Sequence, residues 1–279
     1  MTIGTSEKIT GVVGLTIVSL LVVMALLAPF IAPYDPATGS LGDRLQPPFW
    51  QKGGSAVHLL GTDVLGRDTL SRMIYGARTS LSVAVIAILV AGTLGSALGI
   101  LAGYLGGLVD VLIMRTADLA FSFPTILLAM VLAVLFGASF GNIILVIALI
   151  LWAEYARMAR GEALKVKEMD YVALARVAGI SGFEIMRRHI LPNVASPLIV
   201  LATLQVGVVI ILESSLSFLG VGMPPPTPAW GSMIAEGRSY VVTAWWLSVV
   251  PGIAIVVTVL SFNLLGDVLT ELLNPARQA

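Results

Sequence analysis

The sequence predicts an all-α membrane protein of six transmembrane helices carrying a polar helical elbow on one face. Three observations lead there. The 279 residues are 57% hydrophobic and only 11% charged, and the mean hydropathy is +0.97, more apolar than a soluble core requires. Several long runs carry no charge, and about 20 apolar helical residues cross a hydrocarbon layer roughly 30 Å thick. Between two such runs lies YVALARVAGISGFEIMRRHILPN, residues 171–193, composed like two short polar helices.

The uncharged run 9–34 is the first expected span. It exceeds the core of about 7–15 residues usual for a secretory signal, so an uncleaved span is expected. Residues 35–78 are too long for a turn and form an external segment. There Asp63 or Asp68 is placed to cap a short amphipathic helix bearing Leu70, Met73 and Ile74. That helix would either meet an external partner or pack over the bundle mouth. The second span is 79–109. The run 119–153 is too long for one span, and FGASFGN at 136–142 divides it into a third and a fourth. The fifth is 193–212 and the sixth 239–266. The chain thus divides into 1–34, 35–78 and a five-span core 79–279 with a loop at 157–192. Every span must be a helix, because lipid cannot satisfy an open sheet edge. Six spans put both termini on one side. Of the 16 Lys and Arg residues, ten fall on that side, seven of them between 157 and 188. The positive-inside rule therefore places the termini and the elbow in the cytoplasm.

Ala91, Gly95, Gly99 and Gly103 recur every four residues in the second span and make one smooth helix face. Such a face lets another backbone approach closely, either within this chain or on a partner subunit. Trp245 and Trp246 open the sixth span and fit an interfacial aromatic belt. The four prolines of GVGMPPPTPAWG resist helix and sheet ladders and predict a stiff external loop.

The elbow begins with good helix formers over 165–178, followed by Gly179, a residue favoured just past helix ends. Ser181-Gly-Phe-Glu184 then has the form of a capping box, flanked by Ile180 and Ile185 as a hydrophobic staple. Pro192 should stop the second helix near Leu191. Ala173, Val177 and Ile180 are spaced as the anchors of a helix lying in a groove. A ring of Lys167, Glu168, Asp170, Arg176, Arg187 and Arg188 would fix register. A DNA-reading helix-turn-helix shares the outline. It would have to enter a major groove within a residue or two of the membrane, on a chain of zero net charge; nucleic acid is therefore excluded. A solvated amphipathic helix on the bilayer and a docking helix for a cytoplasmic partner both remain.

Here a family resemblance enters. Ala173, Leu174, Ala175, Gly179, Leu191 and Pro192 resemble the EAA motif of membrane permeases in ABC importers, which seat a cytoplasmic coupling helix in a cleft of the ATPase subunit. Ala173 stands where the family has its glutamate, and Leu174 replaces the first alanine. Shape complementarity with Arg176 or Asp170 would carry the contact instead. LLGTDVLGRDTLSRMIYGARTSL (59–81), RHILPN (188–193), ESSLSFLGVG (213–222), PPPTPAWG and LLAPFIAPYDP narrow the resemblance to the second, C-type permease of dipeptide, oligopeptide and nickel transporters. It covers nearly the whole chain. It implies the type I importer permease fold in a bacterial inner membrane. It implies a homologous B-type permease, two ATPase subunits and an external solute-binding protein as partners, with lipid around them. The solutes implied are mostly short peptides, with nickel complexes, glutathione and oligosaccharides as alternatives. It makes Asp170, Tyr171, Ala173, Leu174, Ala175, Arg176, Gly179, Ile180 and Arg187 the ATPase-coupling set.

Missing chemistry is equally informative. Gly-Lys never occurs, so there is no phosphate-cradling P-loop, and H-E-x-x-H is absent; the one G-x-S-x-G, at 137–141, only divides two apolar runs and follows no strand, so it is not a nucleophile elbow. No catalytic residue is expected, and ATP and Mg would be bound by partners. With no cysteine and two distant histidines, no metal site is expected. Three acids lie in or beside spans, and an intramembrane acid is a candidate functional group. Asp118 can pair with Arg115 one turn away, and Asp267 falls at the exit of the sixth span. Glu213, followed by Ser214 and Ser217, either lines the solute path or marks a wet helix end. An ion-coupled secondary transporter would show inverted repeats and broken midplane helices. No repeat is visible, and that reading gives the elbow no purpose. A scaffold or receptor subunit without transport is the remaining rival, separated by whether an ATPase copurifies.

Overall fold

The computed structural model describes residues 5–273, with side chains from Thr10 onward. The termini expected in the cytoplasm, and Arg277, lie outside the described residues. The helices are α1 (Thr5–Leu26), α2 (Ala28–Ile31), α3 (Thr69–Leu105), α4 (Gly107–Phe121), α5 (Thr125–Phe136), α6 (Phe140–Lys167), α7 (Asp170–Val177), α8 (Gly182–Ile185), α9 (Leu191–Phe218), α10 (Trp230–Gly237) and α11 (Trp246–Leu272). Among the described residues four helical stretches are long and apolar enough to cross a membrane: α3, α6, the continuous Gly182–Phe218 and α11. The α4–α5 pair, bent by 94°, is a fifth candidate, and Thr10–Leu26 is a shorter apolar stretch.

Several boundaries move from the expected ones for local reasons. Asp68 caps a helix as expected, accepting the Ser71 amide and hydroxyl at 2.7 Å each, but the helix it caps is α3 itself. Nothing breaks the chain between Leu70 and Arg78, and Ile74, Ala77 and Leu81 continue one buried face. The expected separate amphipathic helix is thus the first turns of the second span, and no boundary falls at 78/79. α4 starts at Gly107 rather than 119, Gly106 and Gly107 both having positive φ, and its first turn carries Asp110, which Arg160 of α6 bonds at 2.5 and 2.6 Å. Pro124 forces the sharp bend into α5. The FGASFGN break falls where predicted: Gly137 ends α5 and Ser139 caps α6, accepting the Asn142 amide at 3.1 Å.

α3 and α6 run parallel along the glycine face. A Cβ on Gly95 would sit 2.3 Å from the Trp152 carbonyl oxygen, one on Gly99 2.2 Å from that of Ala156, and one on Gly103 2.9 Å from the Ala163 Cβ. With Ala91 fully buried, the stripe serves packing within the chain. α9 runs antiparallel to α3, and Val83, Ala87, Ile147, Leu151, Val209 and Ile210 share the main core. α11 packs on α9 and α1 on α11, Gly14 lying against Leu264. α1 therefore starts, and α11 ends, at the same end of the bundle as the α7–α8 elbow.

The opposite end is a folded cap. Trp246 is buried, and its indole N–H donates to the Thr62 carbonyl at 3.3 Å. It pins the external segment to α11 and is not part of an aromatic belt. Trp230, opening α10 after the proline loop, is likewise buried and donates to the Met73 carbonyl at 3.1 Å. Beside them Asp63 and Glu236 enclose two arginines. Arg67 meets Asp63 at 2.6 Å and Glu236 at 2.9 Å, and Arg72 contacts both acids.

Candidate functional site

The elbow is two short helices joined by a fixed turn. α6 ends at Lys167, and α7 begins only at Asp170, so the expected helix over 165–178 is broken at Glu168–Met169. At the end of α7, Gly179 adopts φ +78°. Its N–H bonds the Arg176 carbonyl at 3.0 Å, and the Ile180 N–H bonds that of Ala175 at 3.1 Å. This is the Schellman pattern, which closes the orphan carbonyls of a helix end. Ser181 then caps α8, accepting the Glu184 amide at 3.3 Å. Glu184 does not return the bond expected of a capping box; its carboxylate pairs with Arg187 at 3.2 Å and with Arg188.

Pro192 does not end the second helix. Residues Met186–Ile190 wind as a π-turn, and Leu191 N–H reaches back to the Met186 carbonyl. Pro192 then occupies the first turn of α9, where its missing N–H removes no bond. The elbow therefore runs straight into the fifth span.

One face of the elbow is anchored and the other is free. Val172, Ala175 and Ile185 are buried in a cluster with Ile100 of α3, Ala159, Ala163 and Val166 of α6, and Val194 of α9. Ala175, expected to contact a partner, is therefore turned inward. Tyr104, at the end of α3, joins the pieces. Its ring lies 5.5 Å from the Arg176 guanidinium and 6.0 Å from the Lys167 ammonium, and its edge sits 3.0 Å from where a Cβ on Gly182 would lie. Asp170, Tyr171, Ala173, Leu174, Arg176, Gly179, Ile180 and Arg187 are all exposed. The most exposed apolar side chains of the elbow are Val177 at 87%, Phe183 at 71% and Leu174 at 68%.

Glu213 is fully enclosed between α3 and α9. The Ser80 and Ser217 hydroxyls donate to its carboxylate at 3.1 and 2.7 Å, and Ser214 and Ser217 are buried beside it. This group reaches no surface of the chain, so neither the path-lining nor the wet-end expectation describes it. Asp118 pairs with Arg115 at 3.8 Å as expected, and more closely with Arg157 at 3.0 Å.

The architecture can be compared with known proteins. The family model described as binding-protein-dependent transport system inner membrane component matches residues 95–278. The chain belongs to this family. It is thus a multi-pass inner-membrane permease component, a class that is not itself enzymatic. Residues 9–48 of the permease also match the N-terminal transmembrane domain of oligopeptide transport permease C. A dipeptide transport system permease of Escherichia coli (strain K12) is 45% identical over 265 residues, covering 95% of this chain and 88% of the relative. A di/tripeptide transport system permease of Pseudomonas aeruginosa is 41% identical, covering 94% and 86%. A glutathione transport system permease of Pectobacterium atrosepticum is also 41% identical, covering 92% and 84%.

Sequence reasoning does not single out Tyr104, Phe183, the Asp63 cluster or Glu154, which lies within α6 and is held by Gln205 of α9. The spacing of Asp63, Arg67 and Arg72 was the available signal for the cluster. For Glu154 it was an acid just past an apolar run, readable only once α6 is known to continue to Lys167.

Proposed function

We propose that this permease forms half of the translocation pathway of an ATP-driven importer of short peptides. A homologous permease lines the other half. An external binding protein delivers solute at the cap end, and two ATPase subunits work at the elbow end, which faces the cytoplasm together with both termini. The peptide assignment is supported by the substrates named for the dipeptide and di/tripeptide relatives; glutathione, named for another, is the alternative.

The observation that carries the coupling role is the two-sided elbow. Leu174, Val177 and Phe183 stand exposed on a backbone fixed by the Gly179 turn and the Ser181 cap. The opposite face is packed against α3, α6 and α9 at once. A partner that buries those three side chains gains about 1.5–3 kcal/mol for each. When the partner moves, three spans move with it. A conformational change driven this way needs contacts that differ between its two states. ATP binding between the ATPase subunits supplies the difference, and the spans tilt between inward-open and outward-open arrangements.

The test is a cysteine cross-link from Ala173 or Val177, both exposed, in the assembled membrane complex. Adducts with a nucleotide-binding subunit are expected. Adducts with lipid alone, or proton-driven uptake by this chain without an ATPase, would overturn the reading.

A further inference from the structure

Glu154 and Gln205 form a polar tie between the centres of α6 and α9, the Gln205 side-chain N–H donating to the Glu154 carboxylate. Glu154 is fourteen residues into α6, about 21 Å along it at roughly 1.5 Å per residue, and so within a hydrocarbon layer of roughly 30 Å that starts at Phe140, toward its elbow side. Gln205 is 4% exposed, and its side-chain oxygen has no hydrogen-bond partner. Glu154 is exposed and takes part in none of the ion pairs among the described residues. The next cations along α6 are committed elsewhere, Arg157 to Asp118 and Arg160 to Asp110.

A carboxylate turned toward lipid at this depth is costly, and such groups face a water-filled cavity or a cation. Its orientation is not accidental, because Gln205 holds one carboxylate oxygen and leaves the other free. Short peptides present one cation common to every sequence, the α-ammonium, whose three donors match the free carboxylate oxygen. The acid between α3 and α9, Glu213, is enclosed and already bonded by two serines. We infer that Glu154, positioned by Gln205, is a contact for the α-ammonium of a peptide in transit. This rests on the peptide-permease reading above and adds a binding residue to it.

The experiment uses the whole transporter with its binding protein in proteoliposomes. The sequence contains no cysteine, so Glu154→Cys adds one thiol to this chain, and its labelling is read on this chain by mass. A cationic methanethiosulfonate reagent is expected to modify it in the assembled complex, and excess dipeptide to slow the reaction. Glu154→Gln is expected to lower uptake of a free-amine dipeptide about tenfold or more, the loss of one charge-assisted hydrogen bond. Subunit assembly should be unchanged, and Glu154→Asp should restore most of the uptake. An unreactive thiol overturns the proposal, as does unchanged uptake by Glu154→Gln. Loss of the second permease from the Glu154→Gln complex also overturns it, since the acid would then pair subunits. Wild-type vesicles run in parallel separate the two claims. No ATP-driven peptide uptake by the wild type overturns the functional reading itself. Normal wild-type uptake with an indifferent Glu154→Gln overturns this inference alone.

Discussion

Gly99 of α3 lies so close to α6 that a Cβ added to it would stand 2.2 Å from the Ala156 carbonyl oxygen. The neighbouring atom is backbone and cannot rotate away. Gly99→Ala therefore has to push two parallel spans apart, at a cost of about 1–3 kcal/mol. Gly161 of α6 meets nothing within 4 Å, so Gly161→Ala should be neutral, or stabilising by up to about 1 kcal/mol through helix propensity. Thermal unfolding of the purified complex in detergent checks the pair. A lower midpoint is expected for the first and none for the second, and equal midpoints would contradict the packing argument.

Val177 is 87% exposed and makes no contribution to the core of this chain. Val177→Asp should leave expression and folding of the permease unchanged. It should weaken its hold on the ATPase subunits roughly tenfold to a hundredfold, the loss of one buried apolar side chain. Pull-down of the nucleotide-binding subunits measures this directly.

Gly179 sits at φ +78° with open space around it. Gly179→Ala meets no clash, so its cost is that of left-handed backbone alone, about 1–2 kcal/mol. The substitution should loosen the elbow and lower uptake without removing the permease from the membrane. Membrane yield and uptake measured on the same preparation distinguish the two effects.

Tyr104 touches α6, α7 and α8 from the end of α3. Removing its ring in Tyr104→Ala leaves the exposed apolar face of the elbow intact but cuts one link to the span. ATP hydrolysis should persist while uptake per ATP falls, by about 5- to 150-fold if the link carries a typical coupling energy. A proportional loss of hydrolysis and uptake would show instead that the elbow had simply come apart.

The parts legible in the sequence are those set by local chemistry. The Gly179 turn, the Ser181 cap, the Asp68 cap and the break at 136–142 each follow from a residue acting on its near neighbours. The parts that escaped depend on distant partners. Asp110 is paired with Arg160 of α6, fifty residues further on, and Trp246 is buried because the chain folds Thr62 back over α11. Pro192 misled for a related reason: proline ends a helix only if its N–H was needed, and the preceding π-turn removes that need. Ala173 and Ala175, two residues apart, look alike in sequence, yet one faces out and the other packs against α3 and α6.

The cap offers a pH test. Burial pushes the Asp63 carboxyl up, but Arg72, the amides of Arg67 and Leu65, and the Arg67 guanidinium together outweigh it and hold the group below the ordinary carboxylate range. A folded-state pKa below the unfolded one means that Asp63 contributes stability fully above the ordinary carboxylate range, and that this contribution is lost as the pH falls from that range down through the lower folded-state value. Four of the five tryptophans, Trp50, Trp230, Trp245 and Trp246, lie in or beside the cap, so their emission reports its opening. Wild-type emission should shift to the red as the medium is acidified below about pH 4, the ordinary carboxylate value. Asp63→Asn leaves Arg72, whose side chain is 2% exposed, with only Glu236 as a charged partner. It should cost about 3–5 kcal/mol at neutral pH, as breaking a buried pair does, and should flatten that acid transition. An acid transition unchanged in Asp63→Asn would assign the opening to a different carboxylate, Glu236 being the first to test.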